Sequence, residues 1–466
     1  MSTNHPTSSP APAAEPPPSS TSDAPAPSTS PVPAPAPAAP SSPSSRVSRV
    51  LRGALADLTP LREGAHYRRL WFGQAVSSIG QQMTAVAVAV QVYALTGSSF
   101  ATGLVGLCSL VPLVTFGLYG GAIADTVDRR KLGLIGSAGL AAASAILAAQ
   151  ALLDLRQVAV LYCAVALQGA FFAISSPARS SMIPRLVPAE QLPAANALNT
   201  ISMNLGLTVG PMLGGLLIGA YGFQAAYLVD TVAFAATLYA MWRLPAMRPE
   251  RAPGVDADGR RGRASVLDGL RFLREQPNLR TSFLADLAAM IFGMPRALFP
   301  AIAAGFYGGD ARTVGLLVGA PAVGALAGAL FSGWIARVHR HGAAVLAAVT
   351  AWGLSIAAFG LTSGHLWLGL ALLAVAGCAD TVSMIFRNTM MQVAAPDEMR
   401  GRLQGIFIVV VAGGPRLGDF ESGTVAALTT PAVSVISGGL ACVACVLLLA
   451  ARRPAFLRYD ARHPPP

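Results

Sequence analysis

The protein has 466 residues, of which 53% are hydrophobic and 12% are charged, and its mean hydropathy is +0.54. Soluble domains carry about 25% charged residues, so this composition excludes an ordinary water-soluble enzyme and indicates a polytopic membrane protein. The formal net charge is +11. Such a charge indicates nucleic-acid binding only where the basic residues gather on one surface, so their distribution decides its meaning.

The chain begins with a segment of biased composition and continues as a series of apolar runs. Residues 1–60 are rich in Pro, Ala and Ser, bury little apolar surface and are predicted to be a disordered cytoplasmic tail. Twelve runs of about 20 residues follow, each long enough to cross ~30 Å of hydrocarbon as a helix. They are predicted at 70–94, 103–124, 132–153, 158–176, 195–219, 223–242, 281–303, 313–336, 343–362, 365–386, 403–429 and 432–451. The predicted fold is therefore an all-α membrane protein with twelve transmembrane helices.

The polar segments between the runs divide the chain and orient it. The longest insertion, 243–280, separates two six-helix halves at 61–242 and 281–452, and a tail follows at 453–466. Basic residues concentrate in alternate loops, whereas the opposite loops carry only Arg156 and Arg312. Cytoplasmic loops carry the excess of Lys and Arg, so we expect both termini in the cytoplasm and no nucleic-acid partner. Within the central loop, residues 265–276 have the pattern of an amphipathic helix lying on the inner leaflet.

The two halves share an internal repeat. The matching pairs, each 208 positions apart, are Arg179 and Arg387, Met182 and Met390, Pro188 and Pro396, and Glu190 and Glu398. Gly121 matches Gly333 at an offset of 212. Repeated halves are typical of transporters that work by alternating access, with the substrate bound near the midplane between the halves.

The loop after the second run contains an acidic residue at the membrane edge followed by basic residues. The segment from Gly121 to Lys131, with Asp125, Arg129 and Arg130, resembles motif A of the major facilitator superfamily. The resemblance implies a gating contact in which Asp125 faces the positive N-terminal end of span eleven and Arg129 links neighbouring helices. Thr126 and Asp128 stand where that family often has a basic residue and a glycine.

The fifth run carries a second motif, built from small residues around a proline. Gly206, Gly210 and Gly214 lie one turn apart on one helix face, which allows close helix packing, and Pro211 is expected to bend the helix. Together with Gly215 they form a G-x-x-x-G-P-x-x-G-G pattern that resembles motif C, the signature of antiporters in the same superfamily. This resemblance favours export over uptake.

The likeness to the superfamily extends over about residues 65–452. The segments Asp380 to Met384, Met390 to Gln392, Pro396 to Glu398 and Gly401–Arg402 are similar to the enterobactin-exporter-like branch. Members of this branch and its neighbours resemble siderophore, macrolide and multidrug exporters. The resemblance implies a multi-pass protein of the inner or plasma membrane that acts as a monomer on an organic small molecule.

Polar and charged residues inside the predicted spans are the candidate substrate and coupling groups, because each charge costs at least ~2.5 kcal/mol at the midplane unless it is solvated or paired. The candidates are Gln74 and Gln81 in span one, Asp286 and Arg296 in span seven, Asp380 in span ten, and Arg416, Asp419 and Glu421 in span eleven. Arg416 and Asp419 are three residues apart and can pair on one helix face. Gly293, Met294 and Pro295 predict a kink in span seven. A structural role is favoured for Asp230, near the outer end of span six.

The driving force is expected to be the proton motive force, with no cofactor and no bound metal. Drug–proton antiporters of the superfamily often carry a buried arginine in span four, but the run 158–176 contains no charge. Proton coupling would then require one of the carboxyl groups of Asp286, Asp380, Asp419 or Glu421. Two alternatives remain at this stage: uptake through the same fold, and a non-transporting membrane sensor or lipid-modifying enzyme.

Overall fold

The computed structural model describes residues 57–247, 271–394 and 397–460, without the side chains of 118–126, 334, 336, 394 and 397–409. The regular structure of these ranges is helical. The helices are α1 (Thr59–Glu63), α2 (Ala65–Thr96), α3 (Ser99–Thr126), α4 (Arg129–Leu152), α5 (Val158–Leu186), α6 (Leu192–Tyr221), α7 (Phe223–Trp242), α8 (Pro277–Phe292), α9 (Phe299–Tyr307), α10 (Ala311–Leu330), α11 (His341–Phe359), α12 (Leu366–Ala394), α13 (Asp397–Leu428), α14 (Pro431–Arg452) and α15 (Pro454–Leu457). Of the predicted tail, 1–60, residues 1–56 lie outside the described residues.

Within the described ranges, ten helical stretches are long and apolar enough to cross a membrane. They coincide with ten of the twelve predicted spans. The other two predictions, 70–94 and 403–429, fall on α2 and α13, which are long helices of more polar composition. Glutamines interrupt the apolar run of α2, and Arg416, Asp419 and Glu421 interrupt that of α13. The number twelve therefore stays a prediction.

Span seven is broken in its interior, as the sequence predicts. Helix α8 ends at Phe292, a short 3-10 turn covers Arg296–Leu298, and α9 begins at Phe299. The indole N–H of Trp352 on α11 donates a hydrogen bond of 2.9 Å to the carbonyl oxygen of Gly293. Pro295 has no N–H to continue the α-helical ladder, so the chain resumes only one turn later. The kink at Gly293–Pro295 is confirmed, and it takes the form of a complete helix break.

The same set of helix neighbours occurs twice along the chain. In the first part α2 packs against α6 and α7, α3 against α5, and α4 against α5 and α7. In the second part α8 packs against α13 and α14, α10 against α12, and α11 against α12 and α14. Two further pairs, α3 with α13 and α6 with α10, join helices from the first part to helices from the second.

Segments at the end of the central loop and after α14 pack onto the helices. Of the predicted amphipathic helix, residues 271–275 are described and helical, and Leu273 is buried beside Phe283 and Met391. This part therefore contacts protein, and the remainder lies outside the described residues. After α14, Phe456 in α15 is buried, and the Tyr459 carbonyl oxygen accepts a 3.3 Å hydrogen bond from Gly342.

Candidate functional site

Two close glycine crossings join the first part of the chain to the second. A Cβ atom built on Gly103 of α3 would lie 3.1 Å from the Cα atom of Gly423 on α13. A Cβ atom built on Gly215 of α6 would likewise lie 3.1 Å from the Cα atom of Gly315 on α10. Both contacts need glycine, because neither leaves room for a side chain. Gly103 and Gly315 are 212 positions apart and Gly215 and Gly423 are 208 apart, the offsets of the sequence repeat.

The glycines of motif C face α2. Cβ atoms on Gly210 and Gly214 would lie 2.6 Å from the Cβ atom of Gln82 and 3.0 Å from the Cα atom of Met83. A Cβ atom on Gly206 would likewise lie 3.1 Å from the Cβ atom of Ser78. The close approach of one helix, predicted from the spacing of these glycines, is confirmed.

The other face of motif C contacts α10. Pro211 lies inside α6 without ending the helix. A Cβ atom built on Gly315 would lie 2.6 Å from the carbonyl oxygen of Pro211. Pro211 and Gly215 therefore form the crossing with α10, while the three other glycines pack on α2. Motif C thus contacts one helix from the first part of the chain, α2, and one from the second part, α10.

The basic end of motif A ties the start of α4 to two other helices. Asp128 caps α4, with its carboxylate accepting a hydrogen bond of 2.9 Å from the backbone N–H of Arg130. The Arg129 guanidinium donates to the carbonyl oxygen of Ser181 on α5 at 3.0 Å. Arg130 donates to the carbonyl oxygen of Trp242, the last residue of α7. Basic side chains are favourable there because carbonyl oxygens at a helix C-terminus lack backbone donors.

The acidic end of motif A is described less fully. Gly121 and Asp125 lie in the last turns of α3, but their side chains fall outside the described residues. The side chains at the start of α13 are also outside them. The contact of Asp125 with the N-terminus of span eleven therefore stays a prediction.

A buried arginine joins α8 to α12. The Arg387 guanidinium forms an ion pair with Asp286, and one of its nitrogens lies 3.7 Å from a carboxylate oxygen of Asp380. The side chains of Arg387 and Asp286 are 6% and 2% exposed, whereas that of Asp380 is 44% exposed. The predicted span 365–386 ends one residue before Arg387, which is too early. Helix α12 continues to Ala394, and the counter-charges of two aspartates make the burial of Arg387 tolerable.

A second charged group lies where α13 meets α3 and the break in span seven. The Arg416 guanidinium donates a hydrogen bond of 2.8 Å to the hydroxyl of Ser109 on α3. The Asp419 carboxylate accepts one of 3.1 Å from the backbone N–H of Ala297. In the described part of the chain, Arg416 and Asp419 do not form the predicted ion pair within 4 Å. Each connects α13 to a different neighbour instead.

Arg296 connects the two charged groups. It stands exposed in the 3-10 turn of the broken span and is close enough to both Asp380 and Asp419 for a Coulombic interaction. The resulting network consists of Arg296, Arg387, Arg416, Asp286, Asp380 and Asp419, and its formal charge sums to zero. Charges in a membrane bundle face its interior and compensate one another, as this arrangement does.

The remaining candidates lie outside this network. Gln74 on α2 has a buried amide nitrogen with no hydrogen-bond partner among the described residues. Gln81, two turns further along the same helix, is half-buried, as is Glu421 on α13. The structure therefore brings together five of the eight predicted substrate or coupling residues and leaves these three apart.

Two arginines were missed or misplaced by the sequence reasoning. Span four does not end at residue 176 without a charge, because α5 continues to Leu186 and carries Arg179. Arg179 is half-buried, with its guanidinium carbon 5.6 Å from the ring centroid of Phe172. Arg387 is its repeat partner. The repeat was the signal that could have placed both arginines inside helices.

Comparison with known proteins gives the family. A family model described as transmembrane secretion effector matches residues 55–462. The enterobactin exporter EntS of Citrobacter koseri is 29% identical over 413 residues, which are 88% of this chain and 97% of that protein. The protein of the same name from Escherichia coli O157:H7 is 29% identical over 387 residues, covering 83% and 91% of the two chains.

The chain belongs to this family of the major facilitator superfamily. Among solved structures, the POT family transporter PepTSo has a TM-score of 0.67 at 13% identity and covers 85% of this chain and 99% of its own. The human organic anion transporter MFSD10 (TETRAN) has a TM-score of 0.56 at 18% identity, covering 84% and 99%. Likeness at these identities shows the fold. A major facilitator protein is a transporter, so the reading as a lipid-modifying enzyme or sensor is set aside.

Proposed function

We propose that this transporter exports an anionic organic small molecule, of the catecholate siderophore type, by alternating access of two six-helix halves in exchange for protons. Both termini would be cytoplasmic. The observation that carries the proposal is the charge-balanced network around the broken span seven. It contains Arg296, an exposed cation in the interior of a membrane span, beside the crossing of α3 with α13.

The twelve-span, two-half architecture is supported by the duplicated helix neighbours and the two glycine crossings. Crossings that follow the offsets of the sequence repeat are expected when two halves are related by a pseudo-twofold axis. Each half would then contribute one helix to each of the two crossings. Small residues at both crossings let the halves close tightly without a fixed side-chain lock, which suits an interface that must open and close.

The proposed orientation also assigns a conformation. With both termini inside, Gly103 lies near the outer end of α3 and Gly423 near the outer end of α13. Gly215 and Gly315 are likewise near the outer ends of α6 and α10. By contrast, a Cβ atom on Gly117, further towards the inner end of α3, would meet none of the described atoms within 4 Å. The two crossings favour a state closed to the outside.

The distribution of charge supports the orientation. The two arginines of the proposed outer loops each have an aspartate beside them: Arg156 lies 3.3 Å from Asp154, and Arg312 lies 3.9 Å from Asp310. The proposed inner loops hold most of the other arginines. This asymmetry is the one expected for cytoplasmic loops.

The substrate class is supported by the charge of the exposed group and by the relatives. An arginine presents a planar set of N–H donors that suits carboxylate and catecholate oxygens. Arg296 makes no ion pair within 4 Å in the described part of the chain, so its donors are available to a ligand. Relatives over most of the chain are named for enterobactin export, and motif C favours the same direction.

The test is transport in proteoliposomes under an imposed pH gradient, with a catecholate siderophore, a macrolide and a cationic dye as probes. We expect proton-driven export of the anionic probe, and Arg296→Gln should reduce it about tenfold, equivalent to about 1.4 kcal/mol. Arg156→Gln, which alters an exposed loop arginine, is the matched control and should leave transport unchanged. Net uptake of the probe, or equal transport by wild type and Arg296→Gln, would contradict the proposal.

A further inference from the structure

A carboxyl group outside the charged network is completely buried in the first half of the chain. Asp230 on α7 is 0% exposed. One of its oxygens accepts hydrogen bonds from the hydroxyls of Thr84 on α2, at 2.8 Å, and Ser144 on α4, at 2.6 Å. The other oxygen has no hydrogen-bond partner among the described residues. It faces Gly80 of α2, where an added Cβ atom would lie 2.6 Å from it.

Among the described residues, no cation lies close enough to compensate the charge of this carboxyl group. Helix α7 packs against α2, α4 and α6. The charged or basic side chains of α2 and α4 lie at the starts of these helices, at least about three and a half helical turns from Thr84 and Ser144, and α6 has none. These basic residues are His66, Arg68, Arg69, Arg129, Arg130 and Lys131. The nearest titratable group on α7 is the phenol of Tyr227, which donates to Gln91.

Asp230 therefore differs from the aspartates of the charged network. Asp286 and Asp380 have Arg387 as a counter-charge, and Asp419 accepts a backbone N–H close to two arginines. In those groups a cation or a backbone donor offsets part of the cost of burying the charge. A carboxylate buried with two hydroxyl donors and no cation is costly in its charged form, and a bound proton removes that cost.

A hydrogen-bonded chain leads from Asp230 towards the charged network. The amide of Gln168 on α5 donates to the Ser144 hydroxyl at 3.2 Å, and that hydroxyl donates to Asp230. The residue next to Gln168, Gly169, packs against Ser109 of α3, where an added Cβ atom would lie 2.7 Å from the carbonyl oxygen. Ser109 is the residue that accepts the hydrogen bond of Arg416. A continuous series of contacts therefore connects the Asp230 carboxyl group with Arg416 of the charged network.

We propose that Asp230 is the coupling-proton site of the transporter. This inference rests on the proposed function and deepens it. It departs from the sequence-based expectation, which gave Asp230 a structural role and placed the coupling group among Asp286, Asp380, Asp419 and Glu421. A proton binds the oxygen that has no partner among the described residues and gives a neutral carboxyl group. The other oxygen still accepts from the Thr84 and Ser144 hydroxyls, but it is a weaker acceptor than in the carboxylate. The link between α2, α4 and α7 therefore weakens when the proton arrives and strengthens when it leaves.

The experiment compares Asp230→Asn with wild type in proteoliposomes, using a catecholate siderophore as the probe. Two rates are measured: transport driven by a pH gradient, and substrate exchange without a gradient. We expect Asp230→Asn to lose at least tenfold in the driven rate and to retain exchange, because the amide cannot release a proton. A driven rate equal to wild type would overturn the proposal.

Two further variants keep the test decisive if Asp230→Asn does not fold. Thr84→Val and Ser144→Ala each remove a donor to the ionised form and keep the carboxyl group. We expect both to shift the pH midpoint of driven transport upwards, while Thr231→Val, which alters a neighbouring hydroxyl bonded to a backbone carbonyl, leaves it unchanged. Unchanged midpoints in both variants would refute the coupling role.

A readout without substrate separates this inference from the proposed function. Infrared titration of the purified protein in lipid nanodiscs should show a protonated carboxyl band that is absent in Asp230→Asn. If wild type transports none of the probes, the proposed function fails while this titration still decides whether Asp230 binds a proton. Absence of the band in wild type across the titration would overturn the proposal.

Discussion

The ion pair between Arg387 and Asp286 gives a sharp prediction about the free energy of unfolding. Both side chains of this pair are buried, whereas Asp380, the second aspartate beside Arg387, is partly exposed. Arg387→Met removes the only cation that contacts either aspartate within 4 Å in the described structure. Asp286, 2% exposed, is then left without compensation. Asp380 loses the same cation but is 44% exposed. The conservative changes Asp286→Asn and Asp380→Asn remove one negative charge at a time and keep an acceptor oxygen.

The expected magnitudes follow from this geometry. Removing one partner of a buried ion pair costs about 3–5 kcal/mol, because the other charge stays buried. Arg387→Met should lie at the upper end of that range. Asp286→Asn should lie at the lower end, because Arg387 keeps Asp380 at 3.7 Å. Asp380→Asn removes a partner that is 44% exposed and 3.7 Å away, and it should cost about 1 kcal/mol.

The free energy of unfolding can be measured in detergent micelles by titration with sodium dodecyl sulfate, followed by circular dichroism. The double variant Arg387→Met/Asp286→Asn should be less destabilised than the sum of its single changes by about 2 kcal/mol, since removing both partners leaves no isolated charge in the pair. Additivity within about 0.5 kcal/mol, or an Asp380→Asn cost equal to that of Arg387→Met, would refute the reasoning.

Two predictions concern the contacts between helices. Gly103→Leu should wedge the crossing of α3 with α13, reduce transport at least about tenfold and increase labelling of cysteines placed at the outer end of α13. Gly117→Leu is its control, since an added Cβ atom there meets none of the described atoms within 4 Å. Equal effects of the two changes would contradict the proposal that the crossing of α3 with α13 opens and closes during transport. Arg129→Gln should slow transport without reducing insertion, because it loses a charge-assisted hydrogen bond to α5 worth about 1.5–3 kcal/mol. The exposed Arg69→Gln should match wild type, and an unchanged rate for Arg129→Gln would exclude a gating role for that bond.

The features predicted correctly from the sequence are those determined by local pattern. Run length and hydropathy placed the helices, because crossing the bilayer is a property of about 20 consecutive residues. Glycine spacing placed Gly206, Gly210 and Gly214 on one face, because residues four apart share a helix face. Pro295 marked the break in span seven for an equally local reason, the missing N–H.

The features missed are pairings between distant helices. The tenth predicted span ends before Arg387, because an arginine near the cytoplasmic end of a span has a topological explanation that needs no partner. Only the packing of α8 against α12 shows that it is paired. The donors to Asp230 stand 86 and 146 positions away. No spacing rule predicts such contacts, whereas the sequence repeat carried partial information about them.

The two parts of the chain duplicate their packing but not their charges. The repeat partners Arg179 and Arg387 occupy matching positions, yet Arg387 has two aspartates, whereas Arg179 stacks on Phe172 and makes no ion pair in the described structure. The first part instead buries one carboxyl group without a cation. The duplicated helix packing would let the two halves move symmetrically during alternating access. The different charged groups would let each half bind a different species. On this view the second half binds the substrate through its arginines, the first half binds the proton at Asp230, and the contacts from Gln168 to Arg416 make each event sensitive to the other.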